Sequence, residues 1–268
     1  MTNQIEKTLD KYLKRARVKK GELLNVMFVA ETCMGKTAMI SKWAKKHEED
    51  IHFYNLDAPN LHPQKLQWKD GIISDVMFSS QEVDNLNMAN TVIFIDQFSM
   101  AKRETCDQLL RLVQKREVVD PREADGVKRL DNVLFIVIAA LPTRPYSGYD
   151  YSYEIKEDTV IDDVEIVWVK QDKQEYLDYL TKTYSNRENW ERRLSLAKAL
   201  LTSENFSFDD AETITNAVRS LNYRTFISEL KWCDIGTKDE FLEGVRNQFS
   251  NAKYEMIKNI LADYQDPQ

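Results

Sequence analysis

Leu23-Leu24-Asn25-Val26-Met27-Phe28-Val29 is a nearly unbroken apolar run of strand length, the kind found in parallel sheets covered on both faces. Directly after it stands Ala30-Glu31-Thr32-Cys33-Met34-Gly35-Lys36-Thr37, and then a helical pattern from about Lys36 to Lys46. This strand, loop and helix nearly match the phosphate-loop pattern G-x-x-x-x-G-K-[ST], with Ala30 at the first glycine position. The spacing has a chemical reason. Successive backbone N–H groups wrap a β-phosphate, Gly35 lets the chain approach closely, and the helix presents its positive end. The set expected to cradle a nucleotide is therefore Ala30, Glu31, Thr32, Cys33, Met34, Gly35, Lys36, Thr37 and Ala38. Within it, Lys36 is expected to neutralise β/γ oxygens and Thr37 to ligate Mg²⁺.

Thr91-Val92-Ile93-Phe94-Ile95-Asp96 reads as a second buried strand, and it ends on an acid. That is the arrangement in which Asp96 holds the Mg²⁺ water shell beside Thr37. Strands expected at Ile51–Leu56 and Val133–Ile138, with a helix at Lys102–Lys115, complete an α/β alternation. After a further apolar stretch at Val164–Val169 every segment reads as helix: Lys173–Tyr184, Trp190–Leu201, Asp209–Ser220, Tyr223–Trp232 and Lys238–Tyr264. The expected organisation is an N-terminal amphipathic helix at 1–19, an α/β nucleotide-binding core at 20–170 and a helical domain at 171–268. In the first helix Ile5, Leu9, Tyr12, Leu13 and Ala16 share one face. Its Glu and Asp content suits a helix docked on the domain better than a basic membrane-surface helix.

Composition narrows the classes further. The chain has 268 residues, 43% hydrophobic and 30% charged, enough for a well-buried core. Only 7 Gly and 6 Pro argue against a many-turned all-β architecture. Lys and Arg number 37 against 44 Asp and Glu, a formal charge of -7, which disfavours a body coated for non-specific duplex binding. Cys33, Cys106 and Cys233 are scattered, with no zinc-ligand spacing or disulfide framework. No apolar stretch reaches the ~20 residues of a bilayer span, and the N-terminus carries no signal-peptide pattern, so a cytoplasmic protein without membrane contact is expected. His47, His52 and His62 lie too loosely for a metal site.

On these motifs the chain resembles the AAA+ P-loop ATPases, most closely the MoxR-like and related phage-encoded members. The resemblance implies a three-layer α/β core with a parallel sheet followed by a helical lid, and ATP with Mg²⁺ as ligands. It assigns the apolar stripe of Lys102–Arg116 (Leu109, Leu110, Val113), a hairpin at Glu117–Asp131, and a strand at Phe135–Ala140 leading to the γ-phosphate. Leu221-Asn222-Tyr223-Arg224-Thr225 resembles the segment carrying the lid arginine, with Arg224 reaching the γ-phosphate. It further implies a homo-oligomeric ring that remodels a protein client. Two other readings stay open: an ATP-gated assembly module that does not hydrolyse, and a nucleic-acid loader or translocase using the basic residues around Glu117–Arg129.

The chain departs from the family at three places. Gln97 stands where the family has a catalytic Glu, so slow hydrolysis is expected. Ala139-Ala140-Leu141 offers no polar side chain at the sensor position, leaving Thr143 as a substitute. The usual Asp-Arg-Phe finger motif is absent. Arg116, Arg122, Arg129 and Arg144 are the remaining candidates, with Arg144 chosen because it follows the sensor strand. The aromatic cluster Tyr146, Tyr149, Tyr151 and Tyr153 reads as an adhesive loop or subunit contact rather than a base-stacking surface.

Overall fold

Apolar residues at helical spacing make α1 (Thr2–Val18) amphipathic, and its inward face, Ile5, Leu9, Tyr12, Leu13 and Ala16, is no more than 4% exposed. The computed structural model describes residues 2–19, 21–30, 34–67, 73–141, 161–169, 172–188, 190–208, 221, 223–232 and 236–267. After α1 come β1 (Asn25–Val29), α2 (Lys36–Lys46) and β2 (His52–Asp57). The short hairpin of β3 (Gln64–Gln67) and β4 (Ile73–Val76) follows, then α3 (Ser80–Leu86) and β5 (Thr91–Asp96). Next are α4 (Arg103–Lys115), a second hairpin of β6 (Glu117–Val119) and β7 (Val127–Arg129), then β8 (Val133–Ala140) and β9 (Glu165–Trp168).

Five of these strands form one parallel sheet in the order β2-β5-β8-β1-β9. Because side chains alternate along a strand, each strand feeds two cores. Met27, Val29, Ile93, Ile95, Ile136 and Ile138 pack with Val83 and Leu86 of α3 and Cys106, Leu109 and Val113 of α4. On the other face Phe135 meets Tyr12 of α1 and Trp43 of α2, at ring separations of 5.9 and 6.0 Å. The result is the three-layer α/β core with a parallel sheet that the sequence predicts, with helices on both faces. Polar ties hold α1 in place: Trp43 Nε1 donates to Asp10 Oδ1 at 2.8 Å, and the Tyr12 hydroxyl lies 2.8 Å from Glu165 Oε2. Burial and that carboxylate push the Tyr12 hydroxyl's pKa up.

The β6–β7 hairpin is fastened to α3 by Arg122, which donates to both Asp84 (2.8 Å) and the buried Asp120 (2.7 Å). The guanidinium holds both carboxyls below their ordinary range. Ser79 and Glu82 form a reciprocal capping box at the start of α3, each satisfying a backbone donor of the first turn.

By its internal contacts the chain divides into two units, Thr2–Ala30 with Gly35–Val169, and a second centred on Lys170–Gln268. The second contains α5 (Lys173–Tyr184), α6 (Glu191–Leu201), α7 (Tyr223–Trp232), α8 (Lys238–Gln248) and α9 (Asn251–Ile260). Its centre is Phe226, fully buried among Phe206, Phe208, Tyr176 and Phe241. The periodicity predicts one helix over Lys238–Tyr264, and the structure corrects it to two. Phe249 is extended (φ -115, ψ 171), and the Ser250 side chain accepts from Lys253 N, capping a new helix. The expected helix Asp209–Ser220 and the tyrosine cluster from Tyr146 to Tyr153 lie outside the described residues. No helix among the described residues is long and apolar enough to cross a membrane.

Leu9 is fully buried whereas Val18, on the same helix, is 76% exposed. Leu9→Ala is therefore expected to lower unfolding free energy in urea by about 2–5 kcal/mol, and Val18→Ala to change it by no more than about 0.5 kcal/mol. Equal small effects would mean that α1 is not docked on the sheet.

Candidate functional site

Sheet order and register bring the motif residues together. β8 runs between β1 and β5, with Val29 beside Ala140 and Ile95 beside Ile138. The C-terminal ends of all three strands thus lie at one edge, where open α/β sheets bind ligands. Ala30 N donates to Ala140 O at 3.3 Å, fixing the start of the loop against the end of β8.

Gly35 precedes α2 in a left-handed conformation (φ 75, ψ 17), and no side chain caps the helix there. A positive φ is where glycine has its advantage, and an uncapped N-terminus leaves its N–H groups to be met by something other than a capping side chain. Lys36 is 9% exposed, and its Nζ donates to Ala30 O at 2.6 Å. The ammonium is thus turned back toward the residue that follows β1. Thr37 Oγ1 donates to Asp96 Oδ2 at 2.8 Å, joining residues 59 apart in sequence. Two hard oxygen donors at this spacing fit Mg²⁺, which takes one or two protein oxygens and completes its octahedron with water and phosphate. Among the described residues no cluster of three or more His, Cys, Asp or Glu offers an all-protein metal cage.

Met34 is buried, Gly35 partly so, and Ala38 is exposed. Glu31, Thr32, Cys33, Thr143 and Arg144 lie outside the described residues. Arg224 falls in the first turn of α7. Of the other finger candidates, Arg116 is 4% exposed and spends its guanidinium on Val113 O (2.7 Å) and Leu24 O (2.9 Å). Burial pushes its pKa down to about 10. Arg122 is held by Asp84 and Asp120, and Arg129 lies 3.3 Å from Asp131. Arg116 and Arg122 are thus structural ties within their own chain.

Two residues that motif reading overlooked lie at the same edge of the sheet. Ser99 is buried, and its Oγ accepts from Leu141 N at 2.8 Å, so a polar group does meet the end of β8, supplied from the turn after β5. Asp57 ends β2 directly beside Asp96 in the sheet register. Gln97 Nε2 donates to Asp57 Oδ1 at 3.2 Å, and Asn60 Nδ2 donates to Asp57 Oδ2 at 2.5 Å. Gln97 is left-handed (φ 55, ψ 35), an unfavourable backbone for a non-glycine residue. It is held there by Gln97 N donating to Asp96 Oδ1 at 2.9 Å and by Met100 N donating to Gln97 O at 2.8 Å. The acid ending β2 was a readable signal for Asp57, since two strands of this sheet end on aspartate.

No protein-family model and no curated protein matches the chain. Among solved structures it is similar to the RuvB Holliday junction branch migration motor of Thermotoga maritima, at 14% identity over 97% of this chain and 69% of that one, with a TM-score of 0.45. A variant of the same motor aligns at 13% identity, with the same coverage and a TM-score of 0.46. NtrX from Brucella abortus aligns at 11% identity over 94% of this chain and 67% of that one, with a TM-score of 0.38.

At Gly35 an added Cβ would find Met39 Cε at 3.6 Å, ordinary contact, so only the backbone resists substitution. Gly35→Ala is expected to cost about 1–2 kcal/mol in nucleotide-free unfolding experiments through the left-handed penalty. Unchanged stability would mean that the loop does not hold Gly35 at positive φ.

Proposed function

We propose that the chain binds ATP with Mg²⁺ through the loop at Ala30–Ala38 and hydrolyses it slowly as an AAA+-type ATPase. The single observation that carries this reading is the Thr37 Oγ1 to Asp96 Oδ2 hydrogen bond at 2.8 Å. It joins the hydroxyl after the loop lysine to the acid at the end of a separate strand, and an ordinary strand-turn-helix corner needs no such partner. Lys36 folded onto the loop and the left-handed Gly35 support it.

In this reading the loop amides and the N-terminus of α2 bind the phosphate oxygens, and Lys36 neutralises them. Thr37 and Asp96 hold the Mg²⁺ site. Bound there, the metal supplies charge neutralisation at the β- and γ-phosphates. Water attacks the γ-phosphorus and the bond from that phosphorus to the β–γ bridging oxygen breaks. The bond's electron pair stays on ADP, and the products are ADP, hydrogenphosphate and a proton. Gln97, an amide, cannot take that proton as a carboxylate base would, which makes the reaction slow.

Arg224 from the helical lid and Arg144 from a neighbouring copy are proposed to read the γ-phosphate, so that ATP promotes a homo-oligomeric ring acting on a protein client. The formal charge of -7 disfavours nucleic acid as that client.

A ligand that binds only the folded state raises its melting temperature by mass action, by about 2.7 kcal/mol at a hundred times Kd. Mg·ATP is expected to give such a shift in the wild-type protein and none in Lys36→Ala, whose nucleotide-free melting should be unchanged. An equal shift in the variant would remove the loop from the binding site. Sedimentation at micromolar protein is expected to show larger species with Mg·ATP than with ADP. An unchanged monomer would leave a solitary nucleotide-binding domain and sink the ring.

A further inference from the structure

The formal charge of -7 is the sum of two unlike parts of the chain. Residues 1–46 contain 11 Lys and Arg against 4 Asp and Glu, and the remaining 222 residues contain 26 against 40. The fold gathers most of the basic part into one layer. Helices α1 and α2 cover the same face of the sheet, where Tyr12 and Trp43 both meet Phe135. They lie side by side and run the same way: Asp10 meets Trp43 at 2.8 Å, and seven residues further along each, Arg17 meets Asp50 at 3.3 Å.

The apolar side of each helix is used on the sheet, through Ile5, Leu9 and Leu13 in α1 and Ile40, Trp43 and Ala44 in α2. Lysines occupy the outer side. Lys7, Lys11 and Lys14 follow one another at helical spacing, as do Lys42, Lys45 and Lys46 on α2, and all six are exposed. Lys11 lies 3.7 Å from Glu165, whereas the other five have no carboxylate within ion-pair distance among the described residues. At 1.5 Å per residue the row on α1 is about 10 Å long, and packed helices stand about 8–10 Å apart. The lysines thus frame a patch that about three residues of extended chain would cross.

A duplex, a bilayer and an acidic peptide could all answer such a patch, and its surroundings separate them. Glu6 and Asp10 stand on α1, Glu48, Glu49 and Asp50 follow α2 directly, and the rest of the chain is acidic. Charges act over a Debye length, about 8 Å at physiological salt. A nucleic-acid duplex carries a negative charge every ~1.7 Å of its axis and extends past the lysines, so it meets those carboxylates too. An anionic bilayer does the same, and α1 offers it little to insert, its apolar face being buried and Val18 alone exposed. A short peptide stays within reach of the lysines and can set neutral or basic residues against the carboxylates at the rim.

We propose that the outer face of α1 and α2 docks an acidic polypeptide segment of the protein client, with two or three carboxylates of an extended stretch meeting Lys7, Lys14, Lys42, Lys45 and Lys46. The inference rests on the protein-client part of the reading above and gives that client a chemistry. Lysine is depleted at the dry centre of protein interfaces, so the contact is salt-sensitive and steers the client's encounter with the chain.

The probe is fluorescein-labelled octaglutamate, its anisotropy followed against the full chain without nucleotide at low and at high salt. One variant carries Lys7→Glu, Lys14→Glu, Lys42→Glu and Lys45→Glu. A control of equal net charge carries Lys182→Glu, Lys198→Glu, Lys231→Glu and Lys258→Glu, all exposed in the helical unit. The expected result is salt-dependent binding that weakens by about tenfold or more in the first variant and by less than about threefold in the control. Nucleotide-free melting and the Mg·ATP shift should be unchanged in both. Should the four reversals unfold the chain, glutamine at the same four positions reads the same face, with a smaller loss expected. A short DNA duplex and phosphatidylserine vesicles are expected to bind more weakly than octaglutamate.

No binding of octaglutamate, or equal losses in the two variants, overturns the proposal. So does a duplex or a vesicle that binds more tightly and loses that binding in the first variant, since the face then serves a uniform polyanion. Loss of the Mg·ATP-dependent larger species in the first variant with octaglutamate binding intact overturns it as well, and makes the face a contact between copies. Failure of ATP binding at the loop has a separate signature, an Mg·ATP shift that survives Lys36→Ala, which the nucleotide-free peptide measurement does not touch.

Discussion

The bond from Thr37 Oγ1 to Asp96 Oδ2 spans β8 and links the first turn of α2 to the end of β5. Everything else at the sheet edge depends on it being reachable. Thr37 can meet Asp96 only if β1 ends level with β5, and that alignment is set by β8, whose residues Ile136 to Ala140 pair with β1 while Phe135 to Ile138 pair with β5. A one-residue slip would turn every side chain of the slipped strand to the opposite face. It would move Met27 and Val29 off the α3/α4 core at the same time as it separated the two site residues. Hydrophobic burial on both faces of the sheet and the chemistry at its edge therefore select the same register.

That edge is also where the chain departs from regular geometry. Strands β2 and β5 both end on aspartate, and both hand over to a 3-10 turn, Ala58–Asn60 and Phe98–Met100. In the first, Asp57 is gripped by Asn60; in the second, Gln97 N donates to Asp96 and Ser99 Oγ accepts from the end of β8. In the second turn side-chain oxygens satisfy backbone donors where the strand ladder stops, a familiar role for Asp and Ser, whereas in the first the Asn60 side-chain amide meets the carboxylate itself. The consequence is that each strand-end carboxylate has a fixed direction. Asp96 faces Thr37 and Asp57 faces Gln97.

The legibility of the sequence followed the range of the interactions involved. Helices α2 and α5 lie where their periodicity puts them, at Lys36–Lys46 and Lys173–Tyr184, because an amphipathic stripe is a local pattern. The motif at Ala30–Thr37 could be picked out because it is a contiguous run of residues. Helix α3 had a readable signal in Ser79 and Glu82, a capping box three residues apart, yet it is only seven residues long and offers little periodicity. The break between α8 and α9 was missed because Phe241, Val245, Phe249 and Ile257 continue one apolar stripe across it. The helix stops for a backbone reason, the cap at Ser250, which hydrophobicity does not register.

Asp57 could be read as a strand-end acid, but its contact with Gln97, like that of Ser99 with the end of β8, was illegible for a different reason. Each acts on a partner from another element, at a separation of 40 residues for Asp57 and Gln97 and 42 for Ser99 and Leu141. A motif search scores each position against an expected residue type, so Gln97 registers as a lost carboxylate and Ala139–Leu141 as a lost polar group. In three dimensions both losses are adjacent to a gain. A carboxylate stands one strand away from Gln97, and a hydroxyl from the neighbouring turn meets the end of β8. Since the free energy of orienting a water or a phosphate oxygen depends on where a polar atom points and not on which residue supplies it, what the site retains must be counted in atoms at the sheet edge. On that count the edge holds an ammonium, two hydroxyls, two carboxylates and the Gln97 amide, drawn from the start of α2, the ends of β2 and β5 and the turn after β5.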